Sequence, residues 1–265
     1  MIVELSDFFN NPSLVSIGPL KIQYYAITWL LSAVFIYLYL RSNEIIIELG
    51  INDEKVNDLV FLYGLFIGAM CGGRVGYMLF YGSEQLLSNP LSLFYVWQGG
   101  LSFHGGLIGV VISFFIFAKK NNLDFFRLMD SVALSMPIGL GLVRIGNFLN
   151  GELYGKETNG DWGFIFPTDP YGLLRHPSQL YESLGEGIIL FGLLVYVNKI
   201  STSHGVVCSF FLIFYGLIRF IIEFFRQPDA HIGYVAYNFL SMGQILCIPM
   251  ILIGFIILFY SRKKA

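Results

Sequence analysis

Long apolar runs separated by short polar segments make up most of the chain. Seven of them approach the ~20 residues that a helix needs to cross ~30 Å of hydrocarbon. They are Ile22–Leu40, Leu59–Tyr81, Gly99–Ala118, Ser131–Leu149, Leu180–Val197, Val206–Phe225 and Ser241–Tyr260. Because the runs are continuous rather than alternating, they favour helices over membrane strands. The pattern predicts an all-α polytopic membrane protein with about seven transmembrane helices; the fifth is the weakest because it contains Glu182 and Glu186.

The connection at residues 150–179 is the only loop long enough to fold by itself, and its Gly, Asp, Pro and Trp residues indicate turns. We therefore expect residues 1–265 to form a single membrane domain with a small outer subdomain. One hypothesis is that this loop covers the functional site of the protein. The N-terminal segment MIVELSDFFNNPS is acidic and lacks a basic stretch followed by an apolar one, so we expect no cleavable signal there.

Composition supports the membrane class and excludes others. Of 265 residues, 13% are charged, against about 25% in soluble domains. The net charge of −2 without a basic stripe argues against a nucleic-acid partner. The three cysteines, Cys71, Cys208 and Cys247, lack CxxC spacing, which argues against a disulfide framework. No cluster of His, Cys or Asp has metal-ligand spacing, so we expect no metal site.

The sixteen Lys and Arg residues are unevenly distributed among the loops. Nine follow odd-numbered runs, four lie on the opposite side of the membrane, and three fall inside runs. The positive-inside rule then predicts a cytoplasmic C-terminus, an outer N-terminus and an outer location for residues 150–179.

Three arginines lie inside apolar runs, where an ionisable side chain costs about 2.5–3.5 kcal/mol on insertion scales and so suggests a functional site. The first is Arg144, in GLVRIGNFLNGELYG, with Asn147 on the same helical face and Asn150 at the break that follows. A cation and two amides at one helix end suit an anionic, oxygen-rich headgroup. The alternative is that Arg144 only pairs with a buried carboxylate. We expect Glu152 to partner an arginine rather than to act as a catalyst.

The second arginine begins a polar stripe on an otherwise apolar helix. Arg219, Glu223 and Arg226 stand at positions i, i+4 and i+7. A guanidinium group can bind phosphate through two parallel hydrogen bonds, and a glutamate between two arginines would hold them in place. The alternative is that the stripe is only a structural ladder of ion pairs. Arg226 would then extend its side chain to the membrane interface.

The third arginine, Arg74, lies in GGRVGY within a run whose glycines recur at positions 64, 68, 72 and 76. This spacing predicts a small-residue face for close helix contact. Arg74 would either join a phosphate site or donate to neighbouring carbonyls. His104, in WQGGLSFHGG, is flanked by glycines and is either a base or a hydrogen-bonded structural residue.

The residues alone thus predict a multi-helix membrane protein with a buried cationic site near its outer face. Its ligand would be anionic and amphiphilic, as a phospholipid is. A lipid or anion transporter would also use buried arginines, but it predicts inverted repeats, which the sequence lacks. A structural or receptor-like membrane protein, with arginines that only join helices, is a further alternative.

The same segments resemble the bacterial prolipoprotein diacylglyceryl transferases. The strongest match is GLVRIGNFLNGELYG (141–155). Supporting motifs are GGRVGY (72–77), WQGGLSFHGG (97–106), HPSQLYES (176–183), RFIIEFFRQPDA (219–230) and LSMGQIL (240–246). QYYAI (23–27) departs from the family's Trp-Tyr-Gly: Tyr25 matches the functional tyrosine, whereas Ala26 replaces a glycine.

The resemblance implies transfer of the diacylglyceryl group of phosphatidylglycerol to the lipobox cysteine in the signal peptide of a preprolipoprotein. A thioether forms and glycerol 1-phosphate leaves. It implies a multi-pass protein of the bacterial inner membrane, with a periplasmic N-terminus, a site toward the outer leaflet and no cofactor. Its partners would be phosphatidylglycerol and other membrane lipid, the signal peptide, and no nucleic acid; we expect a monomer.

The resemblance and the chemistry together give an expected site. The expected catalytic residues are His104 as base and Arg144 with Arg219 as phosphate clamp. The expected substrate-binding residues are Tyr25, Arg74, Asn147, Asn150, Glu152, Gly155, Glu223 and Arg226. Glu223 and Glu152 would orient the clamp, and Gly155 would serve backbone shape. Alternatively, an arginine-bound phosphate oxygen or a hydroxide takes the thiol proton, and His104 is structural.

Overall fold

The structure is a computed structural model in which residues 2–3, 13–17, 20–160, 162–228, 233–236 and 240–264 are described. Most of MIVELSDFFNNPS, on which the expectation about a signal depends, lies outside these residues. Helices dominate the described chain, and the strands are short. In chain order the elements are β1 Ile2–Val3, β2 Ser13–Ile17, β3 Leu20–Gln23, α1 Tyr24–Ser42, α2 Glu44–Glu48, α3 Asp53–Phe80, α4 Ser83–Ser88, α5 Phe103–Lys120, α6 Phe125–Leu149, β4 Gly163–Ile165, β5 Leu174–Arg175, α7 Ser178–Ile200, α8 Val206–Ile222, β6 Tyr234–Ala236, β7 Leu240–Ser241 and α9 Met242–Lys264.

Six described helices, α1, α3, α5, α6, α7 and α9, are long and apolar enough to cross a membrane. The prediction of a polytopic helical membrane protein is confirmed, and the exact number of spans stays a prediction. The expected sixth span, Val206–Phe225, corresponds to α8, which has 17 residues. It ends early because the backbone N–H groups of Phe224 and Phe225 bond to Ile221 and Ile222 in tighter turns.

Residues 40–128 form one compact unit, in which α3 lies against α5. The glycine face predicted for α3 makes this contact. A Cβ at Gly72 would lie 2.8 Å from Gly105 O, and one at Gly76 would lie 2.6 Å from the Cα of Gly105. Only glycine permits so close an approach of two backbones, as is typical of small-residue interfaces between membrane helices.

Residues 1–39 and 129–265 form a second unit, which contains most of α1 and of α6, and all of α7 to α9. Here too glycines set close helix contacts. A Cβ at Gly139 of α6 would lie 2.6 Å from Ser32 Oγ of α1, and one at Gly216 of α8 would lie 2.6 Å from Ile251 Cγ1 of α9. Leu190 and Leu194 of α7 are fully buried in this unit.

The segment at residues 150–179 belongs to this second unit. Its strands β4 and β5 pair antiparallel, and β1 pairs parallel with β4 to complete a three-stranded sheet. Phe166 of this segment is fully buried against Phe148 from the end of α6.

Candidate active site

Three arginines and three glutamates form an ion cluster inside the second unit. The residues are Arg144 of α6, Glu182 and Glu186 of α7, Arg219 of α8, and Glu223 and Arg226 just after α8. The nitrogen–oxygen distances are 2.7 Å for Arg144–Glu182, 3.6 Å for Arg144–Glu186, 3.1 Å for Arg219–Glu182, 3.2 Å for Arg219–Glu186, 2.8 Å for Arg219–Glu223, 3.4 Å for Arg226–Glu223 and 3.9 Å for Arg226–Glu182. The three positive and three negative side chains balance each other, and this pairing reduces the free-energy cost of burying six charged groups among apolar helices.

Glu182 is the centre of the cluster. Its Oε2 atom lies 2.7 Å from Arg144 Nε and 3.1 Å from Arg219 Nη1, so one oxygen serves two helices. The glutamate side chain is 1% exposed, whereas that of Arg144 is 19% exposed. The carboxylate is therefore shielded from solvent, and the Arg144 side chain is partly exposed.

The contacts of Glu182 are ion pairs without well-aligned hydrogen bonds, so the attraction of opposite charges stabilises them. Among the described residues, neither oxygen of Glu182 has a donor at hydrogen-bond geometry, despite the short distances. Within the same described chain, no hydrogen bond occupies the Nη groups of Arg144, whose Nε faces Glu182. Arg219, in contrast, uses both Nη groups on three carboxylates. Arg144 is thus the more open of the two guanidinium groups.

Glu182 and Glu186 were not predicted as arginine partners; in the sequence they only weaken the fifth apolar run. The available signal was their spacing of four residues, which places both on one helical face. Two buried arginines on other helices need counter-charges, and these carboxylates interrupt an otherwise apolar run. The predicted stripe of Arg219, Glu223 and Arg226 does form ion pairs, although Arg226 lies beyond the end of α8.

Glu223 also contacts the start of α9. Ser241 Oγ donates to Glu223 Oε1 at 3.0 Å, and a Cβ at Gly243 would lie 2.9 Å from the same carboxylate. Ser241 and Gln244 form reciprocal side-chain-to-backbone bonds, the arrangement of a capping box. A carboxylate at a helix N-terminus is favoured by the helix dipole. A small open cavity beside Glu223 and Arg226 is lined by this same segment.

The segment NGELYG (150–155) turns sharply after α6. Gly151 and Leu153 have φ angles of +66° and +58°, and the second is strained because leucine carries a Cβ. Ser178 Oγ donates to Leu153 O at 3.1 Å, and Gln179 Nε2 donates to Glu152 O at 2.7 Å. The start of α7 therefore stabilises this turn.

Asn147 and Glu152 are brought together by the turn. Asn147 Nδ2 donates to Glu152 Oε1 at 2.8 Å. Glu152 was expected to partner an arginine, but the described contact of its carboxylate is with this amide. The Oδ1 atoms of Asn147 and Asn150 are buried without a hydrogen-bond partner among the described residues. Two acceptors are thus available to a ligand that carries hydroxyl groups.

Tyr25 of α1 lies beside Gly146 of α6. It is half-buried in the first turn of α1, and its ring packs edge-on against Trp29 at 6.1 Å. A Cβ at Gly146 would lie 3.3 Å from Tyr25 Cδ2 and would overlap Thr28 Oγ1. Gly146 therefore lets α1 approach α6 between Arg144 and Asn147.

Gly155 is confined between two other segments. A Cβ there would lie 2.6 Å from both His176 O and Phe225 O. Its N–H donates to His176 O at 2.8 Å, and it pairs with Arg226 as an isolated β-bridge. The role expected for Gly155, backbone shape, agrees with this geometry.

The segment at residues 150–179 contains a buried ion pair of its own. Arg175 donates to both oxygens of Asp169, at 2.8 and 3.0 Å. Burial alone would raise the pKa of Asp169, but these bonds and backbone N–H bonds from Leu173 and Tyr171 outweigh it and lower the pKa. Burial lowers the pKa of His176, whose Nδ1 lies 3.2 Å from Tyr181 Oη.

Arg74 belongs to the first unit, at residues 40–128, where it is buried in the last part of α3. It donates to four backbone carbonyls: Nε to Leu93 O at 3.1 Å, Nη1 to Gly99 O at 2.5 Å and Gly100 O at 3.3 Å, and Nη2 to Ser92 O at 2.6 Å. Of the two expected roles, the structure shows the bonds to carbonyls. A direct contact of Arg74 with lipid stays a prediction.

His104 is in the same unit as Arg74. It is exposed at the second position of α5, and its ring lies edge-on to Phe103 at 5.8 Å. Among the described residues, the His104 ring forms no hydrogen bond or ion pair with another side chain. In the described residues there is also no group of three His, Cys, Asp or Glu side chains that could hold a metal.

Comparison with known proteins agrees with these features. A family model described as prolipoprotein diacylglyceryl transferase matches residues 12–260. A phosphatidylglycerol–prolipoprotein diacylglyceryl transferase of Pseudomonas entomophila is 46% identical over 96% of this chain and 95% of its own length. Proteins with the same name from Pseudomonas fluorescens and Ectopseudomonas mendocina are 46% and 43% identical, each over 96% of this chain and 96% and 95% of their own lengths.

The match is nearly full-length, and it includes both the helix carrying Arg144 and the segment carrying Arg219 to Arg226. The identity is well above the level at which a shared fold and family are certain. The chain belongs to the prolipoprotein diacylglyceryl transferase family.

Proposed function

We propose that this protein transfers the diacylglyceryl group of phosphatidylglycerol to the lipobox cysteine of prolipoproteins, the first step of lipoprotein maturation. The observation that carries the proposal is the buried ion cluster, with the partly exposed Arg144 at its outer side. Family membership supports the reaction and its two substrates. A protein that only joined helices through ion pairs would have no need of an open guanidinium group.

The reaction exchanges one bond for another at the glyceryl carbon. The cysteine sulfur forms a C–S bond, the C–O bond to phosphate breaks, and glycerol 1-phosphate leaves with the electron pair on its oxygen. The thiol loses its proton. Because a phosphodiester monoanion becomes a phosphate monoester, negative charge grows on the leaving group, and stabilising it lowers the barrier.

In this proposal Arg144 binds the phosphate through its Nη groups, while Glu182 holds its Nε. Arg219 lies deeper, anchored by three carboxylates, and completes the clamp through its positive charge. Low exposure strengthens the attraction to the leaving group, since charges interact more strongly away from water. Arg226, beside Glu223 and the small cavity, extends the same positive region.

The headgroup would be positioned by the amides after Arg144. Asn147 and Asn150 have buried Oδ1 atoms that can accept hydrogen bonds from glycerol hydroxyls. Glu152 holds the Asn147 amide in place through its Nδ2, so its role is to orient Asn147. Tyr25 would close the headgroup site from α1.

The thiol proton has two proposed acceptors. At pH 7 only a few per cent of a cysteine of pKa ~8.5 is thiolate, so a base would speed attack by about 10²–10⁴-fold. His104 is proposed as that base on its sequence context alone. The alternative acceptor is an arginine-bound phosphate oxygen or a hydroxide.

The proposed setting is the bacterial inner membrane, with the N-terminus periplasmic, the C-terminus cytoplasmic and the active site toward the outer leaflet. The distribution of Lys and Arg supports this orientation. Residues 150–179 would cover the site and meet the secreted part of the lipoprotein. We propose a monomer. Deleting part of this loop should reduce transfer, and retained transfer would contradict its covering role.

The test is transfer by purified protein in detergent with phosphatidylglycerol and a lipobox peptide, followed by mass spectrometry. Wild type should add one diacylglyceryl group to the cysteine, and Arg144→Ala should abolish the adduct. Arg127→Ala is the matched control because Arg127 pairs with an exposed glutamate on another part of the chain. No adduct from folded wild type, across several phospholipids, would contradict the proposed function.

A second comparison separates the proton acceptors. His104→Gln removes the base and keeps a polar side chain of similar size. A loss of 10²-fold or more that is partly recovered at high pH would identify His104 as the base. A rate close to wild type would favour the phosphate oxygen or hydroxide.

A further inference from the structure

A buried carboxylate joins α6 to the start of α8, at the opposite end of both helices from the ion cluster. Asp130 is fully buried. Its Oδ2 accepts a hydrogen bond from Gly205 N at 2.7 Å, and its Oδ1 accepts one from Cys208 N at 2.8 Å. The first N–H groups of a helix have no partner within the helix, so α8 depends on α6 to satisfy them. The negative charge also opposes the positive end of the helix dipole.

The two helices are joined a second time, at the cluster. Asp130 precedes Arg144 by 14 residues in α6, and Gly205 precedes Arg219 by 14 residues along α8. At a rise of about 1.5 Å per residue, each arginine lies about 21 Å along its helix from the Asp130 contact. Both arginines then meet the same Glu182 oxygen. The helices therefore run parallel, with equal lengths between their two points of attachment.

We propose that Asp130 is a positioning residue that sets the axial register of α8 against α6 and so brings Arg219 level with Arg144. The first N–H groups of a helix point along its axis toward its N-terminal end. A slide of α8 by one residue away from Asp130 would therefore lengthen the bonds of 2.7 and 2.8 Å by about 1.5 Å, to beyond hydrogen-bond range. The effect on transfer rests on the proposed function, in which these arginines form the clamp. The effect on register does not.

Gly205 supplies an independent feature of the same contact. Its φ angle is +87°, a conformation that glycine adopts readily and a residue with a Cβ does not. This conformation turns its N–H toward Asp130. Replacement by alanine should therefore disturb the contact without altering the carboxylate.

The first test is Asp130→Asn, which keeps the side-chain volume but loses the charge and one acceptor. We expect kcat/KM for transfer to fall by about 10-fold or more, since a misplacement of about 1 Å can cost ~10²-fold. Gly205→Ala should act in the same direction, and it carries the test if Asp130→Asn does not fold. The matched control is Asp124→Asn, because exposed Asp124 caps its own helix at Arg127 N. The control should keep the wild-type rate.

A double-mutant cycle with Arg219→Lys separates register from general stability. If Asp130 acts through Arg219, the double variant Asp130→Asn with Arg219→Lys should lose less transfer than the product of the two single losses. Multiplied losses would overturn the proposal, because they would mean that the two residues act independently.

Spin labels at exposed Ile145 of α6 and Leu217 of α8 measure register without using activity. In a Cys71→Ser background, which leaves the buried Cys208 and Cys247, Asp130→Asn and Gly205→Ala should shift or broaden the label distance. Unchanged distances in folded variants would overturn the proposal. If wild type transferred no lipid, the proposed function would fail while the distances still tested the register.

Discussion

Arg144 Nε lies 2.7 Å from Glu182 Oε2, although the two residues stand 38 positions apart and on different helices. The Glu182 side chain is closed off from solvent, whereas the Arg144 side chain is partly exposed. Such an arrangement holds an arginine through its Nε. In the proposed function, the same contact both joins the helices and leaves the Nη groups of Arg144 for a phosphate.

Replacing Glu182 with glutamine should lower both the stability of the protein and its rate of transfer. The neutral side chain would no longer offset the repulsion between Arg144 and Arg219. Removing one partner of a buried ion pair costs about 3–5 kcal/mol, so we expect a lower thermal midpoint and at least a 10-fold loss of transfer. Glu54→Gln, at an exposed position, is the control. A variant with wild-type stability and rate would show that the cluster does not depend on Glu182.

Replacing Gly155 with alanine should destabilise the segment between α6 and β4. The added Cβ would lie 2.6 Å from two carbonyl oxygens, those of His176 and Phe225. Overpacking of this kind costs about 1–3 kcal/mol. Gly192→Ala, where nothing lies within 4 Å of the new Cβ, should be neutral or slightly stabilising. Thermal unfolding in detergent compares the two, and equal midpoints would contradict the expectation.

Replacing Arg74 with lysine should be costly even though the charge is kept. Lysine has three donors, which cannot reproduce the four bonds that the arginine makes to Leu93, Gly99, Gly100 and Ser92. We expect a loss of about 1–3 kcal/mol in stability, because buried carbonyls lose their donors.

The control for Arg74 is Arg41→Lys. Arg41 is partly exposed and forms an ion pair with Asp53, so its replacement should change stability by about 0–1 kcal/mol. Unfolding curves of the two lysine variants provide the comparison. If both lose equally little, the carbonyl bonds of Arg74 are unimportant.

The Asp169–Arg175 pair should make the segment at residues 150–179 sensitive to acid. Because the folded-state pKa of Asp169 is lowered, its stabilising effect is fully present above the unfolded value, ~3.9. The effect is lost as pH falls through the lower, folded-state pKa. Unfolding measured from pH 6 to pH 2 should therefore show a shallower decline in Asp169→Asn than in wild type. Parallel curves would exclude this contribution.

Local patterns were the most predictable features. The spacing of Arg219, Glu223 and Arg226 predicted ion pairs along one stripe. Arg219 and Glu223 pair because residues four apart lie close together on a helix, and Arg226 pairs with Glu223 although it lies beyond the end of α8. The four-residue recurrence of glycines predicted the close face of α3 for the same reason. Both depend only on the geometry of a single helix.

Contacts between helices were less predictable. The sequence offered two roles for Arg74, and its four carbonyl partners lie on a segment whose path only the fold defines. Glu152 was expected beside an arginine and lies instead against Asn147, because the turn at Leu153 directs it there. Neither outcome follows from spacing along the chain.

The sequence by itself determined the class of the protein. Its apolar runs are long enough to span a bilayer, three arginines within them indicate a functional site, and its motifs are those of one enzyme family. Only the tertiary structure decided that Glu182 and Glu186 neutralise Arg144 and Arg219, and that Asp130 holds the start of α8. The physical reason is that an ion pair between helices depends on their rotation and axial register. Those quantities are set by all helix contacts together, and no single segment encodes them.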